Sequence, residues 1–182
     1  SIIFIGSTTS AFSQTHEDPV VVLETSLGDI VIELFAYDAP NHVKNFIGLV
    51  STGYYDDTLF HRVIPGFMIQ GGDPNTINGD PNTWGQGGPD KKLDAEFNTI
   101  KHERGIVSMA RSSDPNSAGS QFFIVHQDSN FLDGDYTVFG RIVTEESFET
   151  LDKIAELPTD ANNRPINSDL TKILSASLIL LK

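Results

Sequence analysis

Leu59-Phe60-His61-Arg62-Val63-Ile64-Pro65-Gly66-Phe67-Met68-Ile69-Gln70-Gly71-Gly72-Asp73-Pro74 places two short apolar runs on either side of a Pro-Gly bend. Apolar runs of this length around such a bend read as paired strands. Side chains alternate along a strand, so Phe60, Arg62 and Ile64 are expected on one face, and beyond the bend Met68 and Gln70 share a face. Arg62 breaks the apolar pattern. A permanent charge rarely sits in such a run, unless it snorkels to water from an edge strand or is held there for use. Gly71-Gly72-Asp73-Pro74 closes the run in a turn.

Ser117 to Val125 reads Ser-Ala-Gly-Ser-Gln-Phe-Phe-Ile-Val, and a strand starting near Gln121 puts Gln121 and Phe123 on one face. Phe131-Leu132-Asp133-Gly134 then leads to Tyr136 and the strand Thr137 to Gly140. Separate strands thus offer one Arg, two Gln and several large apolar side chains. Together these can build an apolar slot with a fixed cation and a few amides at its rim, the usual make-up of a small-ligand site.

Outward from these stretches, Val20–Thr25 and Asp29–Phe35 flank Ser26-Leu27-Gly28 as a β-hairpin. Asp38 is placed to cap a helix with Pro40 in its first turn. In that helix Val43, Phe46, Ile47 and Val50 form the apolar face, His42 and Lys44 point to solvent, and Gly53 ends it. Gly72-Asp73-Pro74-Asn75-Thr76 recurs as Gly79-Asp80-Pro81-Asn82-Thr83, which reads as an expanded turn. Gly85-Gln86-Gly87-Gly88 lacks the strand and helix that a phosphate cradle requires. Ala95-Glu96-Phe97 is expected to be a short strand, Gly105–Ala110 and Tyr136–Val143 longer ones, and Lys172–Leu181 the closing one. Between the last two, Thr144 can cap a helix whose apolar face is Phe148, Leu151, Ile154 and Ala155. Phe97, Phe122 and Phe139 read as core.

With 182 residues the chain is one domain, residues 20–182, preceded by an N-terminal segment, residues 1–19. Ile2-Ile3-Phe4-Ile5, then Ala11-Phe12-Ser13, resembles the end of a signal peptide with a small-x-small cleavage site. That pattern points to an extracytoplasmic or secreted protein; the alternative is a cytoplasmic protein with a loose N-terminus. Residues recovered upstream should then contain Met and a basic stretch within about 20 positions; an acidic, polar extension would refute secretion. The formal charge of −13 argues against nucleic acid or anionic membrane as a partner and weakly favours basic ones. There is no Cys, hence no disulfide and no thiol nucleophile. No apolar run approaches the ~18 residues of a membrane span. His16, His42, His61, His102 and His126 show no metal-ligand spacing. His61 alternates away from Arg62 and reads as structural, and no hydrolase constellation stands out.

About eight strands, two helices and little βαβ alternation point to a mainly β barrel or sandwich. Phe60-His61-Arg62, Pro65-Gly66-Phe67-Met68, Gln70-Gly71-Gly72-Asp73, Gly119-Ser120-Gln121-Phe122-Phe123 and Leu132-Asp133-Gly134 resemble, in order and separation, the signature blocks of the cyclophilins, from about Val20 to about Leu181. The resemblance implies a closed eight-stranded antiparallel β-barrel capped by two α-helices, with its groove on the outer surface. It implies a monomeric single domain acting as a peptidyl-prolyl cis-trans isomerase in protein folding, with Pro-containing peptides and folding proteins as partners. The rival is a non-catalytic module on the same fold that binds proline peptides.

By the same resemblance, Arg62 is the catalytic donor. Phe67, Met68, Phe123 and Leu132 line the proline pocket, Gln70 holds a peptide carbonyl, Gln121 lies in the groove, and Ala110 lets a backbone approach. The Gly-rich loop would lie beside the groove. The family's reaction is rotation about an X–Pro bond, which makes and breaks no bond and so calls for no cofactor, metal or nucleophile. Three positions depart from the best-known eukaryotic members: Arg111 stands for Asn, Phe131 for Trp and Tyr136 for His. Phe131 and Tyr136 still offer aromatic walls, whereas loss of the Trp implies weak cyclosporin binding.

Overall fold

The computed structural model describes residues 18–179; the signal-like pattern of residues 1–13 and the end of the closing run at Leu181 fall outside them. Eight strands are present: β1 (Val20–Thr25), β2 (Gly28–Leu34), β3 (Arg62–Ile64), β4 (Met68–Gly71), β5 (Ile106–Met109), β6 (Phe122–Val125), β7 (Val138–Ile142) and β8 (Ile173–Ile179). All pair antiparallel in one sheet of order β3-β4-β6-β5-β7-β2-β1-β8. The hairpin of β1 and β2 pairs Val20 with Glu33 and Thr25 with Gly28. Its alternation sends Val21, Leu23, Ile30, Ile32 and Leu34 inward.

The expected closed barrel is not formed. Among the described residues β3 and β8, the two ends of the sheet, share no ladder. The seam between them holds one isolated bridge, Leu59 to Lys172. Beside it, Phe60 N–H donates to the Thr171 carbonyl (3.1 Å) and Ile173 N–H to that of Thr58 (2.8 Å). A three-residue β3 is too short to continue, and a 3₁₀ turn at Ser168–Thr171 lies just before β8. The sheet is therefore a curled half-barrel. The same seam explains why Phe60 does not share a face with Arg62. The chain at Leu59 and Phe60 bonds to residues 171–172 rather than to β4, and Phe60 turns inward against Phe122, ring centroids 5.9 Å apart.

The inner core gathers Phe46, Tyr55, Phe60, Phe122 and Phe139 with the aliphatic residues of the strands. Helix α1 (Pro40–Ser51) lies against β8, and α3 (Glu145–Ala155) against β2. A third, one-turn helix, α2 (Asn75–Asn78), was not expected. Thr144 caps α3, its Oγ1 accepting from Ser147 N–H at 3.1 Å. Among the described residues no helix is long and apolar enough to cross a membrane.

Four further expectations are corrected at α1 and the loop that covers its start. Its N-cap is Ala39, not Asp38, with no side-chain cap of its own. The free N–H groups of Asn41 and His42 instead donate to the carboxylate of Glu96, at 3.2 and 2.7 Å. His42 is buried, not solvated, because its Nδ1 also meets Glu96, at 2.6 Å. Burial opposes the charge on Glu96, but these donors outweigh it and hold its pKa below the ordinary value. Ala95-Glu96-Phe97 is accordingly no strand; it is a loop that delivers the cap, and Phe97 is 44% exposed rather than core.

The duplicated loop segment is duplicated in structure. Asp73 Oδ1 accepts from Asn75 N–H at 2.8 Å, and Asp80 Oδ1 from Asn82 N–H at 2.9 Å. Thr76 and Thr83 hydroxyls each donate to the carbonyl of their own Asp at 2.7 Å. Asp73 is buried and also accepts from Gly85 N–H, which folds the Gly-rich stretch back.

Candidate active site

The half-barrel has a second, smaller apolar cluster on its outer face. Met68, Ile106, Phe123, Val125, Leu132 and Val138 form it, with Phe67, Ala110 and Tyr136 at its border. Strand register builds the site across three strands. Arg62 on β3 stands opposite Gln70 on β4, and Gln70 opposite Phe123 on β6. One pleat lower, Ile64, Met68 and Val125 repeat the row. Phe122 and Phe123, adjacent in sequence, thus face the inner core and the outer cluster respectively.

A cavity of about 410 Å³ opens over this face. Arg62, Phe67, Met68, Gln70, Ala110, Arg111, Phe123, Leu132 and Tyr136 line it. Gln121 instead lines a neighbouring cavity of about 320 Å³ beside the Gly-rich loop. Phe131 lines neither. It is 72% exposed and packs on the outer side of Phe67, centroids 5.4 Å apart. The expected aromatic wall at Phe131 is therefore a buttress to Phe67 at the rim, because the 3₁₀ turn Asn130–Leu132 points Leu132 inward and its neighbour out.

A line of amides fixes the polar rim. Arg62 donates to Gln70 Oε1 (3.4 Å), Gln70 Nε2 donates to Gln121 Oε1 (3.1 Å), and Gln121 Nε2 donates to the Gly87 carbonyl (2.9 Å). Each amide orientation is set by the next, so the chain of bonds runs one way from the guanidinium to the Gly-rich loop. Arg111 is fixed differently. Its guanidinium donates to the Asp135 carbonyl at 2.7 and 2.9 Å and stacks over Tyr136 at 4.6 Å.

Beneath Phe123, His102 stacks nearly parallel to its ring, centroids 5.9 Å apart. Asp133 accepts from the backbone N–H of His102 at 2.7 Å and lies 3.0 Å from its Nδ1, and His102 Nε2 meets Ser108 Oγ at 2.9 Å. This Asp–His–Ser array has the contacts of a hydrolytic triad, but Ser108 and His102 are fully buried and line neither cavity. It orients Phe123. On the other side His126 accepts from Gly66 N–H at 2.9 Å through Nδ1, and its own N–H bonds the Phe67 carbonyl at 2.8 Å, which sets the Pro-Gly bend. The far nitrogen of His126 reaches Asp152 on α3 at 3.0 Å.

Sequence reading missed Trp84, Asn162 and Arg164, which also line the larger cavity, and His61, which lines it from below. Arg164 stacks over Trp84 at 4.7 Å and donates to the Pro81 carbonyl at 2.7 Å. These residues come from two loops about eighty positions apart and from no strand pattern. The tandem turn was the available signal, since its second copy ends directly at Trp84.

Burial lowers the pKa of His61 and of His102 below 6.5, over the opposing pull of Asp73 and Asp133 respectively. Their neutral forms are favoured in the fold, whereas the unfolded chain takes up protons at about 6.5. Stability should therefore be flat between about pH 7 and 8 and fall as pH drops below about 6.5. A second loss should follow as pH falls from 3.8 through about 2, where Asp133 is held by the His102 N–H first and the Asn130 amide next. Urea midpoints measured across this range check it; a curve level from pH 6.5 to 5 would refute the histidine contribution.

The family model for the cyclophilin type peptidyl-prolyl cis-trans isomerases matches residues 20–178. A peptidyl-prolyl cis-trans isomerase of Arabidopsis thaliana is 45% identical over 149 residues, covering 80% of this chain and 88% of that protein. Peptidyl-prolyl cis-trans isomerase-like 3 of Rhizopus delemar is 46% identical, covering 80% of this chain and 87% of its own. The crystal structure of a Cryptosporidium parvum cyclophilin, determined in the presence of the dipeptide Ala-Pro, superposes with a TM-score of 0.79 at 37% identity, covering 89% of this chain and 99% of that one. With its eight antiparallel strands and an outer apolar cleft bordered by Arg62, Arg111 and Arg164, the chain belongs to the cyclophilin-type peptidyl-prolyl cis-trans isomerases.

Proposed function

We propose that the outer cavity is where X–Pro bonds isomerise, with Arg62 as the catalytic residue. The observation that carries this is the register of Arg62, Gln70 and Phe123 across three strands, which sets a cation at the edge of an apolar pocket. The barrier to rotation is about 18–20 kcal/mol and comes from amide resonance. As the bond twists, conjugation breaks and the prolyl nitrogen gains a lone pair. A donor aimed at that nitrogen acts only in the twisted state, so it stabilises the transition state and not the ground state. A guanidinium keeps its protons here and so serves as an electrostatic donor.

The remaining roles follow from the chemistry of each side chain. Phe67, Met68, Phe123, Leu132 and Tyr136 receive the proline ring. Gln70, whose amide is oriented by Arg62 and Gln121, donates to a peptide carbonyl. Ala110 leaves room for the peptide backbone, and Gln121 and Arg111 border its path. The clients are unfolded or folding chains that present X–Pro bonds. A protease-coupled assay on an Ala-Pro peptide tests the reading; tight binding without acceleration would favour a proline-peptide-binding module instead.

Cyclosporin gives a further check. Phe131→Trp adds an indole N–H donor at the rim without touching the cavity lining. It should tighten cyclosporin binding and leave isomerisation within a few-fold. Unchanged affinity in a calorimetric titration would remove residue 131 from the recognition surface.

A further inference from the structure

The chain carries 25 acidic residues against 12 Lys and Arg, yet its cleft has the opposite local charge. Arg62, Arg111 and Arg164 line the larger cavity, and Lys92 and Arg111 the smaller. Among the described residues no Asp or Glu lines either one. None of these four cations takes part in the ion pairs of the described residues, which use Lys101, Arg104, Arg141 and Lys172. Each is held by neutral groups: Arg62 by Gln70, Arg111 by the Ser112 and Asp135 carbonyls, Arg164 by the Pro81 carbonyl, and Lys92 by the Pro89 carbonyl at 2.9 Å. Neutral partners position a cation without cancelling its charge.

The two cavities share Gln70, Gly85, Ala110 and Arg111 and so form one continuous cleft. We infer that this cleft selects X–Pro segments carrying an acidic side chain beside the proline, and that Lys92, with Arg111, recognises that carboxylate from the smaller cavity. The inference rests on the proposed function of the larger cavity. Distance decides between the cleft and the net charge of the whole chain. At about 0.1 M salt the screening length is about 10 Å, so charges spread over the far surface are damped, while those in contact with the peptide act nearly undiminished. The preference is therefore for acidic segments, contrary to what the overall composition favours.

The test uses three peptides that share one Ala-Pro core and differ only in a Glu, Gln or Lys at the flanking position. Both kcat/KM and Kd are measured at about 0.1 M and about 1 M salt. Trp84, the only tryptophan, lines the cavity, so its fluorescence reports Kd whether or not turnover occurs. The Glu peptide should exceed the Gln peptide by about three- to tenfold at the lower salt, with the Lys peptide weakest, and the spread should shrink at the higher salt. Lys92→Gln should bring the Glu-to-Gln ratio towards one. Equal Kd values for all three peptides, or a ratio untouched by Lys92→Gln, would overturn the inference. Absence of turnover on every peptide would overturn the proposed function instead, and the Kd order would still decide the charge preference.

Discussion

Arg62→Ala should slow isomerisation by about 10²–10³-fold, the cost of removing one preorganised donor to a developing charge. The fold should persist, because Arg62 is exposed on the outer face and its one side-chain hydrogen bond among the described residues, to Gln70, is long at 3.4 Å. Arg62→Lys should recover only part of the loss. An ammonium supplies charge but lacks the planar fork that can meet the prolyl nitrogen and Gln70 together. The loss should fall mainly on kcat, since the interaction belongs to the twisted state, while KM changes little. Near-normal turnover by a folded Arg62→Ala protein would leave the apolar pocket alone to account for rate acceleration.

The second large effect separates two adjacent phenylalanines. Phe122→Ala should cost about 3–5 kcal/mol of stability, a large share of the roughly 5–15 kcal/mol that holds a domain folded. Phe122 is fully buried and meets Phe46, Tyr55 and Phe60 at centroid distances of 5.5, 5.5 and 5.9 Å. Its removal leaves a sealed void among rings that cannot collapse. Phe123→Ala should cost less stability, because that ring borders an open cavity which water can enter. It should instead raise KM by removing part of the proline pocket. Denaturant midpoints and KM values for the pair check both. The reverse ranking, with Phe123 the more costly to the fold, would mean that the outer cluster and not the inner one carries the stability.

Part of the cleft was legible because it lies on strands, where a period of two converts sequence into facing, whereas Phe67, Ala110, Leu132 and Tyr136 lie outside the strands and were placed by the family resemblance. Alternation put Met68 with Gln70 and Arg62 with Ile64, while the resemblance assigned Arg62, Met68, Gln70 and Phe123 to one site. Phe60 could not be placed by alternation, since its partner is a backbone segment 111 positions later that leaves no mark on the local pattern. His42 and Glu96 illustrate the same blindness. A polar residue on the far side of an amphipathic helix reads as solvated unless the loop that covers it is known. Closure of the sheet depended on two weak strand ends meeting, and neither β3 nor the start of β8 has the length to show whether they do. Trp84 and Arg164 meet only through two loops, for which sequence offers turns but no direction.

The paired Asp-Pro-Asn-Thr turns carry an implication for how this cleft came by its rim. Each copy closes its own Asp–Thr turn within four residues, so repeating the segment adds a largely self-contained turn, and Asn75 Nδ2 ties the two copies together by donating to the Thr83 carbonyl at 3.1 Å. Lengthening a surface loop in this way is thermodynamically mild, about 0.6 kcal/mol for a doubling. The copies then bear unequal duties. Asp73 is tied to Gly85 and cannot change without loosening the Gly-rich segment, whereas the Asp80 carboxylate, among the described hydrogen bonds, serves only its own turn. Such a spare copy is free raw material: it lifts an aromatic side chain to the mouth of the cleft, where the composition of the rim can drift and the chemistry beneath it stays as it was.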